Sequence, residues 1–471
     1  MIDVEGKRIL VVGLGTSGEA SARVLSGLGA SPVVVDSSET PLCVDEAGAL
    51  TSIGVEVRLG VDVPDDLSTF GLAVASPGVP DSAPVLSAAR AAGLRVISEL
   101  ELGYRLLEPT EFIAVTGTNG KTTTTQLLGD MLDRPGRRAF TCGNIGAPVT
   151  GLYGHVREGD LLVCEVSSFQ LQNIEEFHAR VAVVLNIAPD HFDWHRDMEE
   201  YGRAKARIVE NMEESDHLVF NADDEFCRDL AANAKAVGLG FGHEKRAGAA
   251  LWVEGGWIVT GPPLAAGKLL DTGELKLAGG HNVDNVMAAA AAALAIGEDA
   301  SSVREAALSF LGLEHRCEPV GEVGGVTFYN DSKATNPHAT MHAVKSFHGD
   351  FVAILGGRNK GLDFTELAEA LCGRMSDGSL LGVVLVGESA PEIGEAISTA
   401  CASDSSGKLE TVGDLQEAVR RAYKTATPGA SVLFSPACAS FDMFSDYKDR
   451  GKAFKRAVGR LAGGGPGGGL T

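Results

Sequence analysis

The residues best suited to chemistry begin with "GTNGKTT", Gly117–Thr123, which follows the apolar run "FIAV" and opens a helical stretch. Gly117 and Gly120 free backbone amides to point inward around Thr118 and Asn119. Lys121 supplies a point charge for β- and γ-phosphates, and the Thr122 hydroxyl can reach Mg²⁺ beside Thr123. Position 115 is Val where the strict phosphate-loop pattern has Gly, so this is a variant loop, and it reads as an ATP site. A second glycine turn, "GLGTSG", places Gly13, Gly15 and Gly18 between a strand and a helix, with Asp36 at the end of the next strand. That pattern suits a pyrophosphate at a helix N-terminus, whether carried by NAD, FAD or a UDP group. A dehydrogenase would not need the Lys121 loop, and a simple ATPase would not need the first turn.

Glu165 closes the run "LLVCE", and "DHFDWH" follows "VAVVLNI", so Glu165, Asp190 and His191 fall at strand ends, where ligands collect in parallel sheets. His191 and His195 stand four apart, but no HExxH pattern or third soft ligand supports zinc, and His195 reads as a packing residue. By spacing alone Lys205, in "YGRAKARIVE", is one charge on a solvated helix face. Further on, "NDSKATN", "LGGRNKG" and "SPACASFD" each follow an apolar strand. Lys333, Lys360 and Ser440 in these loops predict one pocket for an acidic substrate.

These loops must hang on parallel sheets. Short β-branched runs alternate with helical stretches in three series, predicting an α/β protein of three domains. These are an N-terminal Rossmann-like domain (1–108), a central P-loop ATPase-like domain with a mainly parallel sheet (109–313) and a C-terminal Rossmann-like domain (314–460). A flexible Gly-rich tail (461–471) follows. The length of 471 residues agrees with several cores rather than one. A net charge of −23 argues against a nucleic-acid surface. No signal-peptide pattern and no apolar run of ~18–20 residues is present, predicting a cytoplasmic chain without membrane insertion. "AAAAAALAI" reads as a packed helix. The eight scattered cysteines form no CxxC pair and predict free thiols in a reducing compartment.

"TGTNGKTT", "EVSSFQL", "NIAPDHFDWH", "HNVDN", "EHRCE", "NDSKATN", "LGGRNKG" and "SPACASFD" occur in the order found in Mur ligases, and the chain resembles that family from Gly13 to about Lys455. The resemblance implies ATP-dependent addition of an amino acid in peptidoglycan precursor synthesis. "NDSKATN" with "SPACASFD" points to D-glutamate joining UDP-N-acetylmuramoyl-L-alanine through an acyl phosphate, by a monomer. It implies that Gly117–Thr123, Asn282, Asn285, Arg316 and Asp331 hold ATP. Mg²⁺ falls to Thr122, Glu165, His191 and Lys205, the last as a carbamate. Thr16, Ser17, Asp36, Ser37, Gly78 and Asn144 fall to the UDP-linked substrate. Lys333, Thr335, Lys360, Ser440, Phe441 and Tyr447 fall to D-glutamate. Lys121, His191 and Lys205 become the catalytic set, with His191 open as base or metal ligand. The acyl phosphate needs shelter from water, so the C-terminal domain is expected to swing toward the central one on nucleotide binding.

Overall fold

The computed structural model describes residues 2–39, 41–190, 194–277, 280–347, 349–359, 361–401 and 408–463. His191, Lys360 and the tail from 464 therefore lie outside the described residues. The chain divides into two compact units, Met1–Phe310 and Leu311–Thr471.

In the first unit, β1 (Arg8–Val12), β2 (Ser31–Asp36), β3 (Glu56–Leu59), β4 (Leu72–Ala75) and β5 (Val96–Ser98) form a parallel sheet in the order β3-β2-β1-β4-β5. Strand order reverses at β1, the crevice position where doubly wound sheets bind ligands beyond their carboxyl ends. A second sheet contains β6 (Glu111–Thr116), β7 (Ala139–Gly143), β8 (Leu161–Glu165), β9 (Val181–Val184), β10 (His217–Asn221), β11 (Val237–Gly242), β12 (Ala249–Glu254), β13 (Trp257–Thr260) and β14 (Gly267–Asp271). Its order is β14-β13-β12-β11-β10-β9-β6-β8-β7, parallel except for the antiparallel pairs β12–β13 and β13–β14. β6 lies between β8 and β9, so the loop leaving it is flanked by two other strand ends. Phe112, Ala114, Leu162, Cys164, Ala182 and Val184 fill one core layer, and Phe112 meets Tyr104 and Phe177 edge-on. The alanine-rich helix Gly280–Ala295 is buried from Asn285 to Ala293 and packs on helix Lys121–Leu132. Small side chains let the two helices approach closely.

In the second unit, β15 (Glu318–Val323), β16 (Val326–Asn330), β17 (Phe351–Leu355), β18 (Leu380–Val386), β19 (Leu409–Val412) and β20 (Ser431–Phe434) run in the order β15-β16-β20-β17-β18-β19, with only β15 antiparallel. Helix Tyr447–Gly463 covers one face through Phe454, Ala457 and Val458, which join Phe328 and Phe434 in a core. The expectation of free thiols throughout is corrected here: Cys372 and Cys401 form a disulfide, with Cα atoms 5.4 Å apart. Helices Thr365–Ser376 and Ala390–Ala400 lie side by side and bring together two cysteines 29 positions apart in sequence.

Candidate active site

The β1 turn builds the first half of a cavity. Gly13 has φ 93°, and a Cβ on Gly18 would run into the Gly13 carbonyl oxygen, so both positions require glycine. The Ser76 hydroxyl donates to that same oxygen (2.9 Å). Asp36 does not stand idle for a ribose: its carboxylate accepts from Leu14 N (2.7 Å) and Ser38 N (2.8 Å), fixing the turn. The cavity, about 430 Å³, is lined by Gly13–Ser17, Asp36, Ser76–Val79, Gly143, Asn144, Gly146 and Pro148. It therefore brings together the predicted Thr16, Ser17, Asp36, Gly78 and Asn144, whereas Ser37 is exposed and not part of its lining. Ser76, Gly143, Gly146 and Pro148 also line it and were given no role from sequence, although the "SPG" after β4 carried a strand-end signal.

Asn144 links this cavity to the next site, donating from Nδ2 to Glu165 Oε1 (2.8 Å). Glu165 is buried at the end of β8, and its Oε2 has no hydrogen-bond partner among the described residues. Opposite it, β6 feeds the Lys121 loop, where Gly117 has φ 150° and Gly120 has φ 84°. Helix Lys121–Leu132 starts at Lys121, aiming its first amides at the loop's mouth. The Lys121 ammonium donates to Gly117 O (2.9 Å) and Thr118 O (2.8 Å). Neighbours that sequence reasoning missed brace the loop from outside. Asn186 accepts from Asn119 N (2.9 Å), Ala188 N donates to Thr118 Oγ1 (2.9 Å), and the Tyr201 hydroxyl lies 3.1 Å from that oxygen. Asn285 Oδ1 accepts from Thr124 Oγ1 (3.3 Å) and touches Gly120, while its Nδ2 donates to Asn282 (3.1 Å).

Lys205 is buried, which corrects the solvated-face reading. Helix Met198–Ala206 turns it inward, one turn after Tyr201, and its Nζ donates to Gly117 O (2.9 Å). Burial, then the charge of Lys121, pushes its pKa down to about 7. The two lysine side chains thus share one loop carbonyl, and the positive charge of Lys121 works against a second one on Lys205. His195 is buried and its Nε2 lies 2.9 Å from Ser168 Oγ, a packing position.

For a hard cation, the fit rests on the orphaned Glu165 oxygen and the buried Thr122 side chain, oxygen donors of the kind Mg²⁺ favours. Among the described residues no group of three His, Cys, Asp or Glu side chains is placed to hold a metal.

In the second unit, strand-end loops gather the remaining candidates. Buried Asp331 accepts from Ser435 Oγ (2.7 Å) and Cys317 N (3.2 Å), which holds the 315–317 loop carrying Arg316; burial raises its pKa to about 6. Lys333 N donates to His315 O (2.9 Å), and Lys333 and Thr335 are half-buried. Ser440 is buried, Tyr447 half-buried and Phe441 57% exposed, the last standing clear of the core for a ligand to cover.

Comparison with known proteins gives matches to family models over three stretches of the chain. Matches cover residues 7–98 (Mur ligase MurD-like, N-terminal domain), 115–293 (Mur ligase middle domain) and 315–438 (Mur ligase, glutamate ligase domain). A UDP-N-acetylmuramoylalanine–D-glutamate ligase of Thermoanaerobacter pseudethanolicus is 37% identical over 98% of this chain and 100% of its own. The chain belongs to the Mur ligase family. An enzyme of the same name from Pelotomaculum thermopropionicum is 40% identical, covering 97% of this Mur ligase and 98% of the relative. Two solved structures share the Mur ligase fold. One is UDP-N-acetylmuramate-alanine ligase from Thermotoga maritima (TM-score 0.54, 20% identity, 98% of this chain and 100% of that one). The other is MurF from Acinetobacter baumannii (TM-score 0.58, 18% identity, 97% and 93%).

Proposed function

We propose that this Mur ligase joins the alanyl carboxylate of UDP-N-acetylmuramoyl-L-alanine to the amine of D-glutamate, with ATP converted to ADP and phosphate, in cytoplasmic peptidoglycan precursor synthesis. The observation that carries the reading is the likeness, over nearly the whole of both chains, to ligases of that name. The carboxylate attacks the ATP γ-phosphorus and ADP leaves. The D-glutamate amine then attacks the acyl phosphate, and phosphate departs as the amide forms and the amine loses a proton. Two anions meet in the first step, so Lys121 and the amides of Gly117–Thr123 offset their repulsion. Thr122 and Glu165, with His191 and carbamylated Lys205, would hold Mg²⁺, which when bound spreads the charge of the transferring phosphoryl group. Asn282, Asn285, Arg316 and Asp331 serve the nucleotide. Lys333, Thr335, Lys360, Ser440, Phe441 and Tyr447 serve D-glutamate.

Phosphate release from ATP with UDP-N-acetylmuramoyl-L-alanine tests the reading. D-glutamate is expected to support turnover, whereas L-glutamate, D-alanine and diaminopimelate are not; release that ignores the amino acid, or none with D-glutamate, overturns it. The first cavity gives a separate prediction. Asp36→Ala removes the acceptor for Leu14 N and Ser38 N, and charged hydrogen bonds of this kind contribute about 1.5–3 kcal/mol. Titration of the two substrates should therefore find KM for the UDP-linked substrate raised ~10-fold or more, with KM for ATP unchanged.

A further inference from the structure

The helix Tyr447–Gly463 carries a side chain that the proposed chemistry does not use. Arg450 is 2% exposed, although its neighbours Lys448 and Lys452 lie at the surface. Its Nε donates to Ser332 Oγ (3.0 Å), Nη2 to Ser332 O (2.8 Å) and Nη1 to Cys438 O (2.9 Å). Ser332 Oγ passes a hydrogen bond on to Tyr447 O (2.8 Å), closing a ring back to the start of the helix. On its remaining side the guanidinium meets the 356–358 turn, where a Cβ on Gly357 would stand 3.0 Å from Nη1. That turn pairs with the Cys438 loop through reciprocal bonds between Arg358 and Ala439.

All three acceptors are neutral, and burial lowers the guanidinium pKa to about 10, so the group stays charged at neutral pH. Asp331 and Asp442 favour that charge from further away, but among the described residues neither accepts a hydrogen bond from it. A buried cation held by neutral acceptors is a costly way to fill space, and an apolar side chain would fill it at less expense. What Arg supplies and an apolar residue cannot is a rigid planar fork with fixed donor directions. Three loops converge on that fork: the one with Lys333 and Thr335, the one with Ser440 and Phe441, and the turn at Gly357.

We propose that Arg450 is a positioning residue for the amino-acid site, its fork setting the spacing of these three loops so that they meet the carboxylates of an acidic amino acid. The inference rests on the reading of Lys333 and Ser440 as D-glutamate residues given above.

Steady-state KM values for D-glutamate, ATP and the UDP-linked substrate, with melting temperature, test it on Arg450→Lys and Ser332→Ala. Lysine keeps the charge but cannot reproduce the fork. Arg450→Lys is expected to raise KM for D-glutamate ~10-fold or more, since small misplacements of binding groups are amplified in this way, with the other two KM values within ~2-fold. An unchanged KM for D-glutamate, or an equal rise in all three, overturns the proposal. Should Arg450→Lys not fold, Ser332→Ala decides. It removes one acceptor and leaves the guanidinium in place, so a several-fold rise confined to D-glutamate is expected, and no rise overturns the proposal. Lys333→Ala and Ser440→Ala run in parallel. If they leave KM for D-glutamate unchanged, the reading of the site itself falls. If they raise it while both Arg450→Lys and Ser332→Ala do not, only the role of Arg450 falls.

Discussion

Lys121→Ala is expected to slow ligation ~10³-fold while leaving the affinity for the UDP-linked substrate unaltered. The side chain leaves its helix at the first position and reaches back over Gly117 and Thr118, so its charge stands over the loop's backbone. A triphosphate entering there would take over hydrogen bonds now spent on two carbonyl oxygens. Charge would build on the phosphoryl oxygens as the alanyl carboxylate approached, and on the proposed mechanism the ammonium would interact more strongly with that state than with bound ATP. A ~10³-fold loss corresponds to about 4 kcal/mol of barrier. The variant should fold, because the loop keeps its bonds to Asn186 and Ala188, and alanine is a good helix former. The first cavity lies at the β1 turn and does not include Lys121, so binding there measures the fold independently. Calorimetric binding of the UDP-linked substrate together with a phosphate-release rate gives both numbers. A rate within ~3-fold of the parent would take Lys121 out of the proposed mechanism.

Sequence made the parallel sheets readable because strands covered on both faces are continuous apolar runs. "RILVV", "FIAV", "LLVCE" and "FVAIL" are all strands with buried interiors. The sheet's antiparallel end, β12 to β14, was harder, since its strands mix polar and apolar residues. Its one clear mark is the Gly255–Gly256 turn, a hairpin signal between β12 and β13. Glycine turns announce themselves because only glycine accepts their φ values or contacts, as at Gly13, Gly18 and Gly120. Buried cations give no such sign. Lys205 sits among Glu199, Glu200 and Arg203, and Arg450 among Lys448, Asp449 and Lys452, so each looks like part of a wet helix face. Their burial is fixed by tertiary packing, which spacing does not encode; for Lys205 only the family resemblance pointed inward. The Cys372–Cys401 pair was illegible for the same reason, a helix position and the residue that ends the next helix made neighbours by packing alone.

Lys205→Ala should then lose ~10²–10³-fold in ligation rate, and short carboxylates such as acetate or formate should restore part of it. An ammonium buried beside Lys121 is badly placed, since both groups donate to the same carbonyl oxygen and burial already favours the neutral amine. A neutral amine is the form that adds to CO₂: the nitrogen lone pair bonds carbon, a proton leaves, and the product is a carbamate. The carbamate would reverse the charge at this position, giving Lys121 an anion in place of a competing cation and adding a second oxygen donor set near Glu165. Alanine removes the whole group, and a small carboxylate taking the vacated space would supply the missing oxygens. The same logic predicts that purging CO₂ slows the parent enzyme and that bicarbonate restores it, while Lys205→Ala ignores bicarbonate. Full activity in Lys205→Ala would remove the residue from the reaction. A parent enzyme whose rate ignores both CO₂ removal and added bicarbonate would refute the carbamate.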